Sequence, residues 1–371
     1  MGFKKSCMEK LTQPDSIMQS LCIQPASSIR QAITCITLNG KGIALVTDNE
    51  RRLIGTITDG DVRQAILATL DMKTSVSVLL ERKISTQYSK PVTAAFGVGR
   101  EELLALMHRH SLRHIPVLDD EGRVVDLVMM DDLLPSGKLP LQAVIMAGGF
   151  GTRLRPLTED LPKPMLKVGD RPVMEHIIGQ LQQAGIRQVN VTTHYKPEKI
   201  TEHFGNGEAF GVELNYVNED RPLGTGGALG LIPKPTEPML VINGDILTQV
   251  DFKVMLNYHR EHHADMTVAV RIYDIQVPYG VIEMKGHHVA GVQEKPQMRF
   301  FVNAGIYLLQ PSVFKFIPHR QHFNMTDLIQ KLVQAKKTVV SFPVHEYWLD
   351  IGQHADYLQA QNDSKTGRLK K

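Results

Sequence analysis

The chain is 371 residues long, 42% hydrophobic and 22% charged; this suits packed cores, argues against disorder, and is more than one domain usually takes. A formal net charge of +3 calls for neither nucleic acid nor an anionic membrane, although an anionic small substrate fits. The three cysteines, Cys7, Cys22 and Cys35, form no metal-ligand pattern or disulfide framework, no apolar run is long enough to span a bilayer, and a reducing, cytoplasmic setting is expected.

Residues 1–135 contain an internal repeat. Ile43-Ala-Leu-Val-Thr-Asp48 followed by Arg52 to Asp61 reads as strand, turn, strand and helix start, and His114 to Asp119 followed by Arg123 to Asp132 reads the same way 71 residues later. Helix-like stretches, 28–36 and 100–110, precede the two hairpins. Two such β-α-β-β-α copies resemble a tandem pair of CBS domains. That resemblance implies a nucleotide contact at the Gly-x-x-Thr-x-x-Asp end of the second hairpin strand. The first copy keeps it as Gly55, Thr58 and Asp61; the second has Asp126 and Met129 in place of the glycine and threonine, and retains Asp132. A carboxylate can hold a ribose diol through two acceptor oxygens, so Thr58, Asp61 and Asp132 are the ligand candidates, with an adenine nucleotide as the ligand. Helix capping is the competing reading of each aspartate.

Leu134-Pro-Ser-Gly-Lys-Leu-Pro140 reads as a linker, and residues 141–363 as a second domain. That domain opens with AVIMAGGFGTRLRPLTEDLPKPML, Ala143 to Leu166. Four apolar residues form a buried strand, and a turn follows at Ala147, Gly148, Gly149, Gly151 and Thr152. Glycines let backbone N–H groups approach phosphate oxygens closely, and Arg153 and Lys163 add charge that a phosphate accepts. Pro162 and Pro164 are expected to hold the lysine segment extended rather than helical. No Lys-Ser or Lys-Thr pair follows the last glycine, and the third glycine comes too early for a dinucleotide fingerprint, so neither common phosphate loop applies.

Strands and helices then alternate. Helices are expected at 172–184, 196–204, 325–335 and 355–361, and strands at 189–193, 212–217, 239–242, 266–272, 280–284, 289–292, 305–309 and 339–343. The pattern is that of an α/β fold, a mostly parallel sheet with helices on both faces, which binds ligands where the strands end. The glycine loop, Glu219 to Gly227 and Asp245 all follow strands. His259, His262 and His263 lack the glutamate of a His-Glu-x-x-His site, and His259 and His263 are expected on an exposed helix face.

The string A-G-G-x-G-T-R-L-x-P-L-T with L-P-K-P after it resembles the signature of the sugar-1-phosphate nucleotidyltransferases, and this implies a Rossmann-like, GT-A-like domain. Such an enzyme joins two polyanions: a sugar 1-phosphate attacks the α-phosphorus of a nucleoside triphosphate and pyrophosphate leaves. The resemblance assigns Arg153 and Lys163 to catalysis. It assigns the backbone cradle at Ala147, Gly148, Gly149, Gly151 and Thr152 to the nucleotide, and Asp245 and Asp350 to a magnesium ion. It also implies sugar-phosphate contacts by Gly280 in Tyr279-Gly280-Val281, Glu294 and Lys295 before Pro296, and Asn303 in Val-Asn-Ala-Gly-Ile-Tyr. Pro222-Leu-Gly-Thr-Gly-Gly227 resembles the Pro-Leu-Gly-Thr-Ala-Gly motif of guanylyltransferases, with Gly226 for alanine. It marks Pro222, Gly224 and Thr225 as nucleotide-binding, with Glu219 accepting from guanine N1–H and its exocyclic amine.

The expected activity is therefore guanylyl transfer from GTP. Together with the CBS pair, the architecture resembles the glucosamine-1-phosphate guanylyltransferases of legionaminic acid synthesis, a surface-polysaccharide role. Mannose 1-phosphate and heptose 1-phosphate are the alternative acceptors, and a catalytically inactive nucleotide sensor is the rival of another class. A homo-oligomer is expected, with no nucleic acid or membrane partner.

Overall fold

The computed structural model describes residues 18, 20–86, 88–110, 112–133, 139 and 141–369; Cys7 and, apart from Leu139, the expected linker at 134–140 lie outside them. The chain divides into two compact units, Met1–Gly137 and Lys138–Lys371. Among the described residues no helix is long and apolar enough to cross a membrane.

The first unit is built twice from one plan. β1 (Cys22–Ile23), α1 (Ile29–Asn39), β2 (Ile43–Thr47), β3 (Leu53–Thr58), α2 (Asp59–Leu67) and α3 (Val76–Lys83) precede β4 (Ala94–Ala95), α4 (Arg100–His110), β5 (His114–Leu118), β6 (Val124–Met129) and α5 (Met130–Leu133). β1 runs parallel to β2 and β4 to β5, whereas β2–β3 and β5–β6 are antiparallel hairpins. Ile43 pairs with Thr58, and His114 with Met129, so the two ladders share one register.

The turns match atom for atom. Asp48 Oδ1 accepts the N–H groups of Glu50 and Arg52, and Asp119 Oδ1 those of Glu121 and Arg123. The copies meet at an antiparallel bridge between Arg52 and Arg123: Leu53 N–H donates to Gly122 O at 3.2 Å, and Val124 N–H to Arg51 O at 3.1 Å.

The second unit is an α/β domain. Its elements are β7 (Gln142–Met146), β8 (Lys167–Val168), β9 (Arg171–Pro172), α6 (Val173–Gln183), β10 (Gln188–Thr193), α7 (Pro197–Phe204), β11 (Glu213–Asn218), α8 (Gly224–Gly227), β12 (Met239–Asn243), β13 (Ile246–Thr248), α9 (Phe252–Glu261), β14 (Met266–Gln276), β15 (Val281–Lys285), β16 (His288–Gln293), β17 (Gln297–Leu309), α10 (Met325–Gln334), β18 (Val339–Pro343), β19 (Trp348–Asp350) and α11 (His354–Lys365). The central sheet has the order β11-β10-β7-β12-β17-β14-β18. Only β17 runs against its neighbours, so the sheet is mostly parallel, as the alternation of elements implies.

Successive residues of a strand face opposite sides, and the core follows that rule. Ala143, Ile145, Leu240 and Ile242 pack with Ile177, Leu181, Met255 and Leu256 on one face. Val144, Met239, Val241 and Tyr307 pack with Leu328 and Leu332 on the other. Each fully buried Leu, Ile or Met contributes about 1.5–3 kcal/mol, which holds the parallel strands β7, β10, β11 and β12 level, with their carboxyl ends along one edge.

β14 and β17 are longer than their patterning suggests. Only 266–270 of β14 pair with β18 and only 306–309 of β17 with β12; from Arg271 to Val302 the two strands continue as a ribbon paired with each other. β15 and β16 pair only with one another and cap this arm.

Candidate active site

The four parallel strands deliver the site. β7 ends when Ala147 N–H donates to Thr192 O at 2.9 Å. The N–H groups of Gly148, Gly149, Phe150 and Gly151 that follow have no acceptor among the described residues. Two of these glycines answer to packing. A Cβ on Gly148 would lie 2.5 Å from Glu219 Oε1, and Gly151, at φ +64°, would set one 3.0 Å from the Thr158 methyl. Gly149 faces open space, with nothing within 4 Å of a Cβ there. Its lack of a side chain is therefore not required by the protein itself and suits close approach of a ligand.

Leu154, fully buried, pins the short 3-10 turn Thr152–Leu154 and leaves Thr152 and Arg153 exposed. A Cβ on Gly352 would stand 3.8 Å from a guanidinium nitrogen of Arg153, so the arginine lies over the segment that carries Asp350.

Lys163 corrects one expectation: the Pro-Lys-Pro segment is not extended throughout. Pro162 is extended, but Lys163–Met165 forms a 3-10 turn closed by Met165 N–H to Pro162 O at 2.8 Å. Pro164 falls within the first turn, where an N–H would have no partner. The turn aims the Lys163 ammonium at two carboxylates. It pairs with Asp245 and lies 3.8 Å from Asp350.

Those carboxylates are joined by backbone. Gly244 N–H donates to Met146 O at 2.9 Å, which ties the end of β12 to the end of β7. β13 then pairs antiparallel with β19, Ile246 opposite Asp350, and Ile351 N–H donates to Asp245 O at 3.1 Å. Trp348 anchors β19 through its indole N–H to Ala304 O at 2.8 Å. Burial, and then the charge of Asp245, push the Asp350 carboxyl above its usual range, while Lys163 and Arg153 oppose the rise.

Oδ1 of Asp245, Oδ1 of Asp350 and Oδ1 of Asn243 are enclosed yet accept no hydrogen bond among the described residues. The two carboxylate oxygens are anionic, and buried anionic oxygens without a hydrogen-bond partner are costly unless a cation meets them. Oxygen-only ligation is what a hard divalent ion such as magnesium takes, so the residues present fit that group.

On the base side, Glu219 follows β11 and is 6% exposed. Its Oε2 accepts Leu223 N–H at 2.8 Å, and burial raises its carboxyl pKa. The structure thus gives one oxygen to loop closure and leaves Oε1 against Gly148. Leu223, Gly226 and Gly227 lock the Pro222 loop onto the segment before α10: Phe323 N–H donates to Leu223 O, and Phe323 O accepts both glycine N–H groups at 2.9 and 2.8 Å. Gly224, at φ +78°, has Asn324 Oδ1 2.6 Å from a Cβ position, and Thr225 Oγ1 accepts Met325 N–H at 3.0 Å. These residues are held by α10, a partnership that the motif alone did not indicate.

Sequence reasoning also missed His194, which follows β10 at the same sheet edge. Its Nδ1–H donates to Glu219 O at 2.7 Å, and its ring meets Phe150 edge-on at 5.4 Å, with Tyr195 5.7 Å from Phe150. The signal available was position: like the other site residues, His194 ends a parallel strand.

The sugar-side candidates divide. Asn303 joins the aspartate region: its Oδ1 accepts Gly305 N–H at 3.0 Å, and Gly305 packs so closely on Asn243 that a Cβ would lie 2.7 Å from its amide nitrogen. Asn303 Nδ2 also donates to Tyr307 at 2.7 Å. Gly280, Glu294 and Lys295 form a separate corner farther along the arm. Glu294 Oε2 lies 3.1 Å from a Cβ position on Gly280, and Lys295, at φ +44°, approaches Glu294 at 3.9 Å. Both side chains are mostly exposed, and among the described residues no hydrogen bond or ion pair joins this corner to Asn303 or the aspartates.

In the first unit, Thr58 caps α2 and Asp61 closes the reciprocal half of the box. Asp61 Oδ2 accepts from Thr58 N–H and from the Thr58 hydroxyl, both at 2.7 Å, and pairs with Lys83 at 2.7 Å. Among the described residues Asp132 accepts only a long 3.4 Å contact, from Met129 N–H, and it is exposed.

His259 overturns its expected exposure. It is fully buried, with Nδ1 2.8 Å from Thr267 Oγ1 and Nε2 3.0 Å from the Gln310 amide nitrogen. Its helix turns this face to β14 and β17, while His263 stays exposed at the helix end.

The Nucleotidyl transferase family pattern matches residues 142–367, and the CBS domain pattern matches 15–68 and 87–136. Among curated proteins, a mannose-1-phosphate guanyltransferase of Aspergillus fumigatus is 35% identical over 232 residues, and one of Candida albicans 34% over 229. The matched stretch is 59% of this chain in both cases, and 62 and 63% of the relatives' own length. A crystal structure of a Bacillus anthracis protein assigned as a glucose-1-phosphate thymidylyltransferase, in complex with sucrose, superposes with a TM-score of 0.50 at 25% identity. It covers 60% of this chain and 94% of that one.

Proposed function

We propose that this chain, which belongs to the nucleotidyl transferase family and carries a tandem CBS unit, moves a guanylyl group from GTP to a sugar 1-phosphate, with mannose 1-phosphate as the acceptor. The mannose reading rests on curated relatives at 34–35% identity; glucosamine 1-phosphate rests on architecture alone. The observation that carries the proposal is the meeting of Asp245 and Asp350, each with an uncovered oxygen, at Lys163 and beneath the reach of Arg153.

A sugar-phosphate oxygen attacks the α-phosphorus, the bond to the bridging oxygen of the β-phosphate breaks, and pyrophosphate leaves. The free N–H groups of residues 148–151 receive phosphate oxygens, and Arg153 offsets charge that grows on the leaving group. Asp245 and Asp350 would hold magnesium, which lowers the repulsion between the two anions. Lys163 pairs with the aspartates in the structure, and in this reading its ammonium offsets charge at the α-phosphate. Glu219 Oε1 accepts from guanine, and the corner of Gly280, Glu294 and Lys295, with Asn303, takes the sugar phosphate. Holding both reactants in line converts an encounter of repelling anions into a positioned reaction.

A pyrophosphate-release assay over a matrix of triphosphates and sugar 1-phosphates with magnesium tests this reading. The highest kcat/KM is expected for GTP with mannose 1-phosphate; release with no pair overturns it. An inactive sensor predicts that second result, but Arg153, Lys163, Asp245 and Asp350 are all present. An adenine nucleotide at Thr58 and Asp61 would compete with Lys83 for the aspartate; calorimetry with AMP and ATP tests it, and no heat with either excludes it.

A further inference from the structure

Among the described residues Glu219 is held at every polar atom but one, and His194 supplies the bond that completes the hold. Glu219 N–H donates to Thr193 O at 2.8 Å, which carries the pairing of β10 and β11 one step past Asn218. Oε2 accepts Leu223 N–H at 2.8 Å, and the backbone carbonyl accepts from His194 Nδ1 at 2.7 Å. A carbonyl can only accept, so the ring proton sits on Nδ1. Oε1 alone is left over, and it is the oxygen that lies against Gly148.

The same histidine reaches the phosphate side. A Cβ on Gly148 would meet Glu219 Oε1 at 2.5 Å and the Cβ of His194 at 3.5 Å, so the glycine is gripped from both directions. The His194 ring meets Phe150, between Gly149 and Gly151, at 89° with 5.4 Å between centres. Tyr195, the next residue, lies 5.7 Å from Phe150 and donates its hydroxyl to Glu159 O at 2.8 Å. Two consecutive side chains at the end of one parallel strand thus tie the base loop to the glycine loop.

Oε1 swings about the Glu219 backbone, so whatever fixes that carbonyl sets where Oε1 stands. Position is what selection by hydrogen bonding depends on: a displacement of about 1 Å can cost roughly 10²-fold. We propose that His194 is a positioning residue for base selection, holding Glu219 in the register from which Oε1 reads guanine and joining that reader to the 148–151 cradle through Phe150. This rests on the reading of Glu219 under Proposed function. His194 acts through Glu219.

Calorimetry of GTP and ATP binding to the full chain with magnesium tests this without depending on the sugar acceptor. His194→Phe keeps a ring against Gly148 and Phe150 but has no N–H; His194→Asn has an amide N–H in place of Nδ1–H and no ring. His194→Phe is expected to lower the preference for GTP over ATP about tenfold, and His194→Asn to stay within about threefold of wild type. His194→Leu, smaller and also without a donor, repeats the His194→Phe result and guards against an overpacked ring. A histidine that only supports the fold would weaken both triphosphates alike. In the double variant His194→Phe, Glu219→Gln the preference is expected to match that of Glu219→Gln alone, because the first change works through the second residue. An unchanged preference in His194→Phe and His194→Leu, equal weakening of both triphosphates, a His194→Asn as unselective as His194→Phe, or additive losses in the double variant overturns the proposal while Glu219 keeps its role. If Glu219→Gln itself leaves the preference unchanged, the reading of Glu219 falls and the role of His194 with it.

Discussion

The backbone N–H of Ile351 donates to the carbonyl of Asp245 at 3.1 Å, and this rung sets two carboxylates 105 positions apart side by side. Lys163 completes the group by reaching both. Asp245→Asn and Asp350→Asn keep the side-chain volume and remove one charge each. Either is expected to lower kcat/KM by roughly 10²–10³-fold, on the scale of losing one transition-state charge contact, with circular dichroism unchanged. Chelation of divalent ions is expected to abolish pyrophosphate release, and readdition of magnesium to restore it.

Neighbouring glycines separate packing from binding. Gly148→Ala drives a methyl to 2.5 Å from Glu219 Oε1 and is expected to lower Tm, because the buried carboxylate that closes the 219–223 loop must move. Gly149→Ala meets no protein atom, so Tm stays within about 1 °C while the KM for triphosphate rises roughly tenfold or more. Equal effects of the two on KM and Tm would remove Gly149 from the cradle.

Glu219→Gln tests base reading. Glutamine can still accept Leu223 N–H through its carbonyl oxygen, so the loop stays closed, but it turns an N–H donor toward guanine's own donors. The expected result is at least a tenfold fall in kcat/KM for GTP relative to ATP and UTP. An unchanged preference would place guanine selection elsewhere.

His259 gives the second unit a pH dependence. Gln310 offers an N–H to Nε2, so Nδ1 carries the proton donated to Thr267, and a second proton would face a donor. Burial drives the pKa down to about 4, with Arg260 adding to the fall. The unfolded chain binds a proton near pH 6.5 and the folded one near 4. The stabilisation is therefore complete above 6.5 and lost as pH falls toward 4, by up to about 3 kcal/mol. Chemical denaturation of wild type and His259→Asn at pH 7.5 and 4.5 checks this: the wild type loses the greater stability on acidification.

Thr58→Ala removes the cap of α2 and is expected to cost about 1 kcal/mol, read as a shift of the first unit's unfolding. If instead only nucleotide binding changes, the cap is not what holds Thr58.

What the sequence made legible was local. The signature loop is contiguous, and the hairpin repeat keeps its register over 71 residues, so glycine chemistry and alternation reveal both. Asp350 was readable only through family resemblance, because the β13–β19 pairing that brings it to Asp245 is three residues long and leaves no periodic trace. His259 was misplaced because three histidines within residues 259–263 look like a polar helix end; at helical spacing it follows Phe252, Met255 and Leu256, the buried face, and its ring meets Thr267 and Gln310. Lys163 escaped the extended form expected of Pro-Lys-Pro because the second proline tolerates the first turn of a 3-10 helix. The arm was misjudged in length because its outer residues, 273–276 and 297–302, mix polar and exposed apolar side chains and pair with each other rather than with the core sheet.

The most direct test of nucleotidyl transfer is mass spectrometry of the products from GTP, mannose 1-phosphate and magnesium with wild-type protein and Asp350→Asn. GDP-linked sugar and pyrophosphate are expected in equal amounts from the wild type, with a trace of either from the variant. GDP and inorganic phosphate without a nucleotide sugar, or equal yields from both proteins, would contradict it.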